Sequence, residues 1–296
     1  MKPPKPGRRR EIRIMRKSIS RSMGLALVIG LSVAGAAHGQ NRRTVTMSRQ
    51  VEDEQNLEVN VEYGAGRFSV GPAEAGVLYH MQLEYDENVF EPVAEYRGSS
   101  LRIGAEGLGR RIRLGRNRKA GSMELMLSRE VAIDLNMDFG AVRADIDLGG
   151  IPLTRLEINT GASQTVIDIS EPNRERMSKA TIDLGAAEFT VRNLGNLNTS
   201  VIEIHAGVGH IELGFTGEWR QNARVSVDMG LGSLVLRFPR GLGVRLIKDT
   251  FLTSLDSEGL VKRGDIYYSL DYDEAEYQIT VDIDAAFGSI RVAWVD

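Results

Sequence analysis

The sequence of 296 residues contains no cysteine. That excludes disulfide cross-links, thiol nucleophiles and cysteine-ligated zinc, so the fold must be held by burial alone. Aromatic residues are scarce at 6% of the chain, which predicts a core that is mostly aliphatic. Only four histidines are present. No Gly-x-Ser-x-Gly elbow offers a nucleophilic serine, and no apolar run reaches the ~20 residues that span a bilayer. Glycine, by contrast, is abundant at 32 residues, as suits a chain that turns often between short strands.

The start of the chain reads as a secretory signal peptide, residues 1–39. Nine basic residues and one acid, Glu11, precede the apolar run Met23–Ala37, which ends in small residues. Cleavage is expected after Ala36 or Gly39, with Met1 or Met15 as the start of translation. A membrane anchor is the competing reading, and the run is short for one. Without residues 1–39 the chain carries 28 basic and 39 acidic residues, a net charge of −11. Such an acidic domain is a poor candidate for nucleic-acid binding.

A repeat organises the remainder. With Gly64, Asp138, Gly161, Gly185, Gly207, Gly230 and Ala286 as anchors, the steps from Asp138 to Gly230 are 23, 24, 22 and 23 residues. Positions five and three before each anchor, and four and six after it, are apolar in 27 of 28 cases, against about twelve from composition. The intervening columns, Asn60, Asp134, Glu157, Thr181, Glu203, Ser226, Asp282 and Glu62, Asn136, Asn159, Asp183, His205, Asp228, Asp284, contain no apolar residue. Alternation with period two is the signature of a half-buried strand. Each unit therefore reads as strand, glycine-rich corner, strand, with Ile204 inward and Glu203 outward. A repeat of about 23 residues that keeps its inward columns predicts an all-β stacked solenoid; a β-sandwich of hairpins is the alternative.

The register breaks twice, at 71–122 and at Arg237–Gln278. The first break holds strand-like runs, Leu78–Tyr85 and Phe90–Tyr96, then a basic stretch from Arg97 to Lys119. The expected organisation is a signal peptide at 1–39, a linker at 40–57, a smaller N-terminal β module at 58–122 and the main repeat domain at 123–296.

At this point the chain resembles the toast-rack proteins, a bacterial family of unassigned function related to the C-terminal domains of envelope-stress membrane regulators and to adhesin-like proteins. The residues that carry the resemblance are Leu57-Glu-Val-Asn-Val-Glu-Tyr-Gly-Ala-Gly66, Val131-Ala-Ile-Asp-Leu135, Asp147-Leu-Gly-Gly150, Leu156-Glu-Ile-Asn-Thr-Gly161, Gly264-Asp-Ile-Tyr-Tyr268 and Ala285-Ala-Phe-Gly-Ser-Ile290. The resemblance spans roughly Leu57 to Val295. It implies a β-stack in an extracytoplasmic setting and brings no catalytic residues. Asp138 and Ala286 depart from the usual corner glycine.

The acidic columns are the strongest candidate for chemistry. Stacked as the repeat predicts, Asp183, Glu203 and Asp228 would line one face. Oxygen ligands suit Ca²⁺, and paired carboxylates suit acid/base attack on a polysaccharide. A solvated face kept polar against edge-to-edge association accounts for the same pattern. The Asp-bearing glycine repeat of calcium-bound β-rolls is missing, since the corners read Gly230-Leu-Gly-Ser233. His205 and His210 flank one corner, but alternation need not aim them together, and a third metal ligand is lacking. His80 is isolated, and His38 lies beside the cleavage point. Gly64-Ala-Gly66 and Gly230-Leu-Gly232 open no helix and lack the following Gly or Lys of a phosphate loop. Trp219 is either an exposed aromatic contact or the cap of a coil. The Arg97–Lys119 stretch either meets anionic envelope polymers and lipid headgroups or pairs with the acidic stack.

No catalytic, cofactor-binding or metal-ligating residue is assigned, and no cofactor is implied. The expected function is a non-catalytic interaction or scaffold role in the bacterial envelope, periplasmic or extracellular. An unidentified envelope protein or glycan would be the partner, and no membrane span would remain after signal cleavage. The alternatives are a carbohydrate-active enzyme and a cation-dependent adhesin module, both using the acidic face. The sequence leaves the oligomeric state open.

Overall fold

In a computed structural model of the protein, the described residues are 42–108 and 121–296. The expected signal peptide and residues 109–119 of the basic stretch lie outside them. The described chain is built almost wholly of strands: β1 (Arg42–Gln50), β2 (Asn56–Pro72), β3 (Val77–Asp86), β4 (Phe90–Arg97), β5 (Ser100–Gly107), β6 (Gly121–Leu127), β7 (Ala132–Asp147), β8 (Leu153–Asp168), β9 (Ala180–Arg192), β10 (Val201–Gly214), β11 (Ala223–Pro239), β12 (Gly243–Asp256), β13 (Leu260–Arg263), β14 (Ile266–Ser269) and β15 (Gln278–Val295). A single 3₁₀ turn, Leu194–Leu197, is the only helical element among the described residues.

All fifteen strands join one sheet, in the order β1-β3-β6-β2-β7-β8-β9-β10-β11-β15-β12-β14-β13, with β4 and β5 added beside β2. From β2 to β12 the neighbours are parallel and in register. Ile204 lies between Ile182 and Val227, and Glu203 between Thr181 and Ser226. The inward columns are closed to solvent: Ile182, Ile204, Val227 and Ile283 are all 2% exposed or less. Stacking like on like places aliphatic side chains at the ~4.8 Å strand spacing, so each buries the next.

Each unit is one continuous strand that passes through its corner, rather than two strands separated by a turn. The alternation slips by one residue there. At β11, Met229 is inward, Gly230 and Leu231 both face out, and Leu234 and Leu236 are inward again. The glycines are required because the strands approach closely. A Cβ on Gly185 would sit 2.5 Å from the carbonyl oxygen of Gly161, and one on Gly232, at φ +150°, would sit 1.8 Å from that of Gly209.

Three features differ from the sequence expectation. The corner of β7 is Gly140, not Asp138: Tyr63 pairs with Phe139, and Phe139 with Thr160, so Gly64, Gly140 and Gly161 fall in one row. A shift of two residues leaves an alternating pattern unchanged, and for that reason the pattern alone misplaced it. The second break contains a further unit, β12, and the last strand, β15, inserts between β11 and β12. Finally, the 40–57 segment, expected as a linker, carries β1, which pairs antiparallel with β3. β2 pairs with β7 across the expected boundary at 122/123.

Between units, short turns close a further side of the core with Leu148, Ile151, Ile169, Leu194, Leu197 and Phe215. Buried amides tie these turns together. Asn196 donates from Nδ2 to the Ile169 carbonyl at 2.7 Å and accepts the Glu218 N–H at 2.7 Å. Trp219, which the sequence left as contact or cap, is 8% exposed and donates from Nε1 to the Phe215 carbonyl at 2.8 Å.

Candidate functional site

The glycine row forms the floor of a trough of about 1080 Å³ that runs across the strands. Beside the floor stands a polar row, two residues before each corner: Glu62, Asp138, Asn159, Asp183, His205, Asp228 and Asp284. Correcting the β7 register brings Asp138 into this row in place of Asn136. Asp249 of β12 extends it, opposite Asp284. On the other side of the floor, the residue after each corner grows from Ala65, Ala141, Ala162 and Ala186 to Val208, Leu231, Phe287 and Leu252. The last four are 49%, 50%, 43% and 63% exposed.

The charges of the row are partly engaged. His205 is central: its Nδ1 lies 3.2 Å from Asp183 Oδ1 and its Nε2 3.5 Å from Asp228 Oδ2, so one ring links three strands. At the β2 end, Arg102 of β5 grips Glu62 with two hydrogen bonds of 3.1 and 3.0 Å and also pairs with Glu106. These contacts hold the Arg102 guanidinium above its usual range, chiefly through Glu62. Within the basic stretch, this described arginine does meet the acidic row. Elsewhere on the acidic columns, Lys179 pairs with Glu203 at 2.6 Å and Arg224 with Asp282 at 2.6 Å.

His210 lies beyond the corner, away from His205, and its Nδ1 is 2.5 Å from Ser233 Oγ. The residue on its other side, Glu188, accepts a hydrogen bond from Gln164 at 2.9 Å. The exposed His210–Ser233 pair is a strand-to-strand contact between β10 and β11. The row itself does not gather three ligand atoms in one place. Among the described residues the one such group is Glu52, Asp53 and Glu54 in the β1–β2 loop, with ligand atoms within 4.8 Å. Glu54 is already committed there: it accepts from the Glu52 N–H at 2.7 Å, the Tyr96 hydroxyl at 2.8 Å and Arg49 at 3.3 Å. Burial, with Glu54 beside it, pushes the Tyr96 hydroxyl up to about 12.

The trough thus presents the backbone of a glycine floor open to contact, carboxylates with the Asn159 amide and His205 along one side, and apolar side chains beyond the other. Sequence reasoning found the polar column but not the trough, because the glycine floor and the His205 bridge depend on cross-strand register. No helix among the described residues is long and apolar enough to cross a membrane.

Fold and trough define an all-β repeat protein with an extended surface groove. Its sequence matches the model of the N-terminal domain of toast_rack, DUF2154, over residues 37–192 and again over 181–237. The chain belongs to the toast-rack family. No curated protein matches it. Among solved structures it is similar to a proposed cell adhesion protein from Clostridium sporogenes, at 17% identity and a TM-score of 0.46, covering 86% of this chain and 100% of the other. A proposed adhesin from Bacteroides fragilis aligns at 13% identity and a TM-score of 0.38, over 84% and 97% of the two chains. A proposed lipid-binding protein from Parabacteroides distasonis aligns at 10% and 0.35, over 86% and 97%.

Proposed function

We propose that this chain is an exported, non-catalytic interaction or scaffold protein of the bacterial envelope, which holds an extended partner along its trough. The glycine-floored trough carries the reading. It is long and open, and it sets polar groups beside apolar ones, which suits a polymer or an extended peptide better than a small substrate. Envelope protein and glycan both remain partners of the right shape. We read the architecture as a stacked solenoid whose coils are the in-register units, with 58–122 as an N-terminal module on the repeat domain 123–296. Residues 1–39 are read as the export signal on the strength of their basic start and apolar run.

The test is retention of envelope material. The mature chain should capture a defined partner from envelope extracts, and Asp183→Asn with Asp228→Asn should weaken that capture while leaving the fold intact. Those two aspartates are half-exposed, so stability should move by no more than ~1 kcal/mol. Cleavage of a polysaccharide by the wild type, abolished in the double variant, would instead make the protein an enzyme. Capture that requires Ca²⁺ would make it a cation-dependent adhesin. Protein recovered outside the cytoplasm should begin at Ala37 or Gln40; intact residues 23–37 on membrane-embedded protein would refute cleavage.

A further inference from the structure

Away from the trough, three residues past the corners, Arg67 of β2 and Arg143 of β7 stand directly opposite one another. Like charges in register on adjacent strands repel. Both are exposed, and neither makes a hydrogen bond or ion pair with any described residue. Arg42, Arg102, Arg155, Arg224 and Arg237, by comparison, each hold a carboxylate.

The two arginines border a hollow of about 370 Å³. Ser122 of β6 continues their row on the other side of Arg67, and Ser69 lies in the next row between Glu124 and Asp145. Glu84 also lines the hollow but is taken by Arg42. Glu124 and Asp145 lie outside ion-pair distance of both guanidiniums, so they soften the local field without occupying the donors. The result is two guanidiniums without a described partner and two serine hydroxyls lining one hollow.

We propose that Arg67 and Arg143 form a binding site for a phosphate-class oxyanion, with Ser69 and Ser122 as supporting donors. Guanidinium forks match tetrahedral oxyanions bidentately, and a bound anion would remove the repulsion that the bare pair suffers. In the envelope the same chemistry is presented by soluble or polymeric phosphoesters and by lipid headgroups.

The experiment uses the full chain with two probes, inorganic phosphate and vesicles of phosphatidylglycerol in phosphatidylcholine. Calorimetric titration should show phosphate binding that Arg67→Gln or Arg143→Gln weakens at least ~tenfold, while Arg155→Gln, whose arginine is ion-paired elsewhere, leaves it unchanged. The melting temperature supplies a second reading with a change of sign. In phosphate-free, low-salt buffer Arg67→Gln should melt higher than the wild type, because repulsion is relieved; in phosphate it should melt lower. Binding of phosphate with vesicles ignored supports the site with a soluble or polymeric phosphoester as its source. Binding of both supports it with the headgroup as source. No phosphate binding, binding undiminished in both glutamine variants, or vesicle binding without phosphate binding would overturn the proposal.

Discussion

The side chain of Asn173 grips the backbone of Leu153 at both ends. Its Oδ1 accepts the Leu153 N–H at 3.1 Å and its Nδ2 donates to the Leu153 carbonyl at 2.8 Å, with a further bond to the Leu197 carbonyl at 3.2 Å. One buried amide thus joins the turns of three successive units. Asn173→Ala would leave these buried backbone groups without partners, at a cost of ~2–5 kcal/mol. Asn173→Asp keeps the acceptor but loses both donated bonds and should be nearly as damaging. Urea midpoints measure both; a loss near zero for Asn173→Ala would mean that the turns hold without it.

The corner glycines lead to a second prediction. Gly232→Ala must place a methyl where the Gly209 carbonyl already lies, so a shift of the neighbouring strand is unavoidable, and the cost should exceed ~3 kcal/mol. Gly107 has nothing within 4 Å of its virtual Cβ. Gly107→Ala should therefore stay within ~0.5 kcal/mol of the wild type. Equal melting temperatures for the two variants would sink the close-packing account of the corners.

The alternation that defines the inward columns was legible in the sequence because strand period is physical and local. Register was not. Asp138 and Gly140 differ by two residues, so both anchors satisfy the same pattern, and only pairing with β2 and β8 separates them. β12 escaped because it is paired along its full length on one side only. Its Lys248 stands in the row of Ile283, where inner units have aliphatic residues, and Phe251 stands where inner units have glycine or alanine. An outer strand need not bury both neighbours, so its sequence need not repeat theirs. The trough was half legible: its carboxylates could be read as a column. The His205 bridge and the unpaired Arg67–Arg143 couple exist only once strands 22 and 76 residues apart are laid side by side.

Thr165 is a polar member of the inward columns, and it is 1% exposed with a hydroxyl that has no hydrogen-bond partner. Its strand neighbours are Ala144 and Phe189. Thr165→Val keeps the shape and removes the unpaired group, so it should stabilise the protein by ~1 kcal/mol. A loss of stability on calorimetric melting would show that the hydroxyl is satisfied in solution.

Ile204 and Glu203 are adjacent in sequence and opposite in environment. Ile204 is fully buried between Ile182 and Val227, whereas the Glu203 side chain is 33% exposed beside Lys179. Ile204→Ala should cost ~2–5 kcal/mol through lost burial and a residual cavity, and Glu203→Ala well under ~1 kcal/mol. Comparable small losses in denaturant melts would mean that the inward column is misassigned.

Acid should reveal the contact between Glu54 and Tyr96. Burial on its own would raise the Glu54 carboxyl, but the hydrogen bonds from Glu52, Tyr96 and Arg49 outweigh it and hold Glu54 at about 2, against a usual value of 4.5. Folding therefore favours the charged form. The contribution is complete above the unfolded value and disappears as pH falls from about 4.5 towards 2. Glu54→Gln should be less stable than the wild type at neutral pH, and the two should converge at the acid end of that window. Tyr96→Phe removes one donor and raises the folded value, so its acid loss should begin at the same pH as in the wild type but be smaller and level off at a higher pH. Melting temperatures collected across the window decide the matter: curves for wild type and Glu54→Gln that run parallel to the lowest pH would show that this carboxylate does not couple folding to protons.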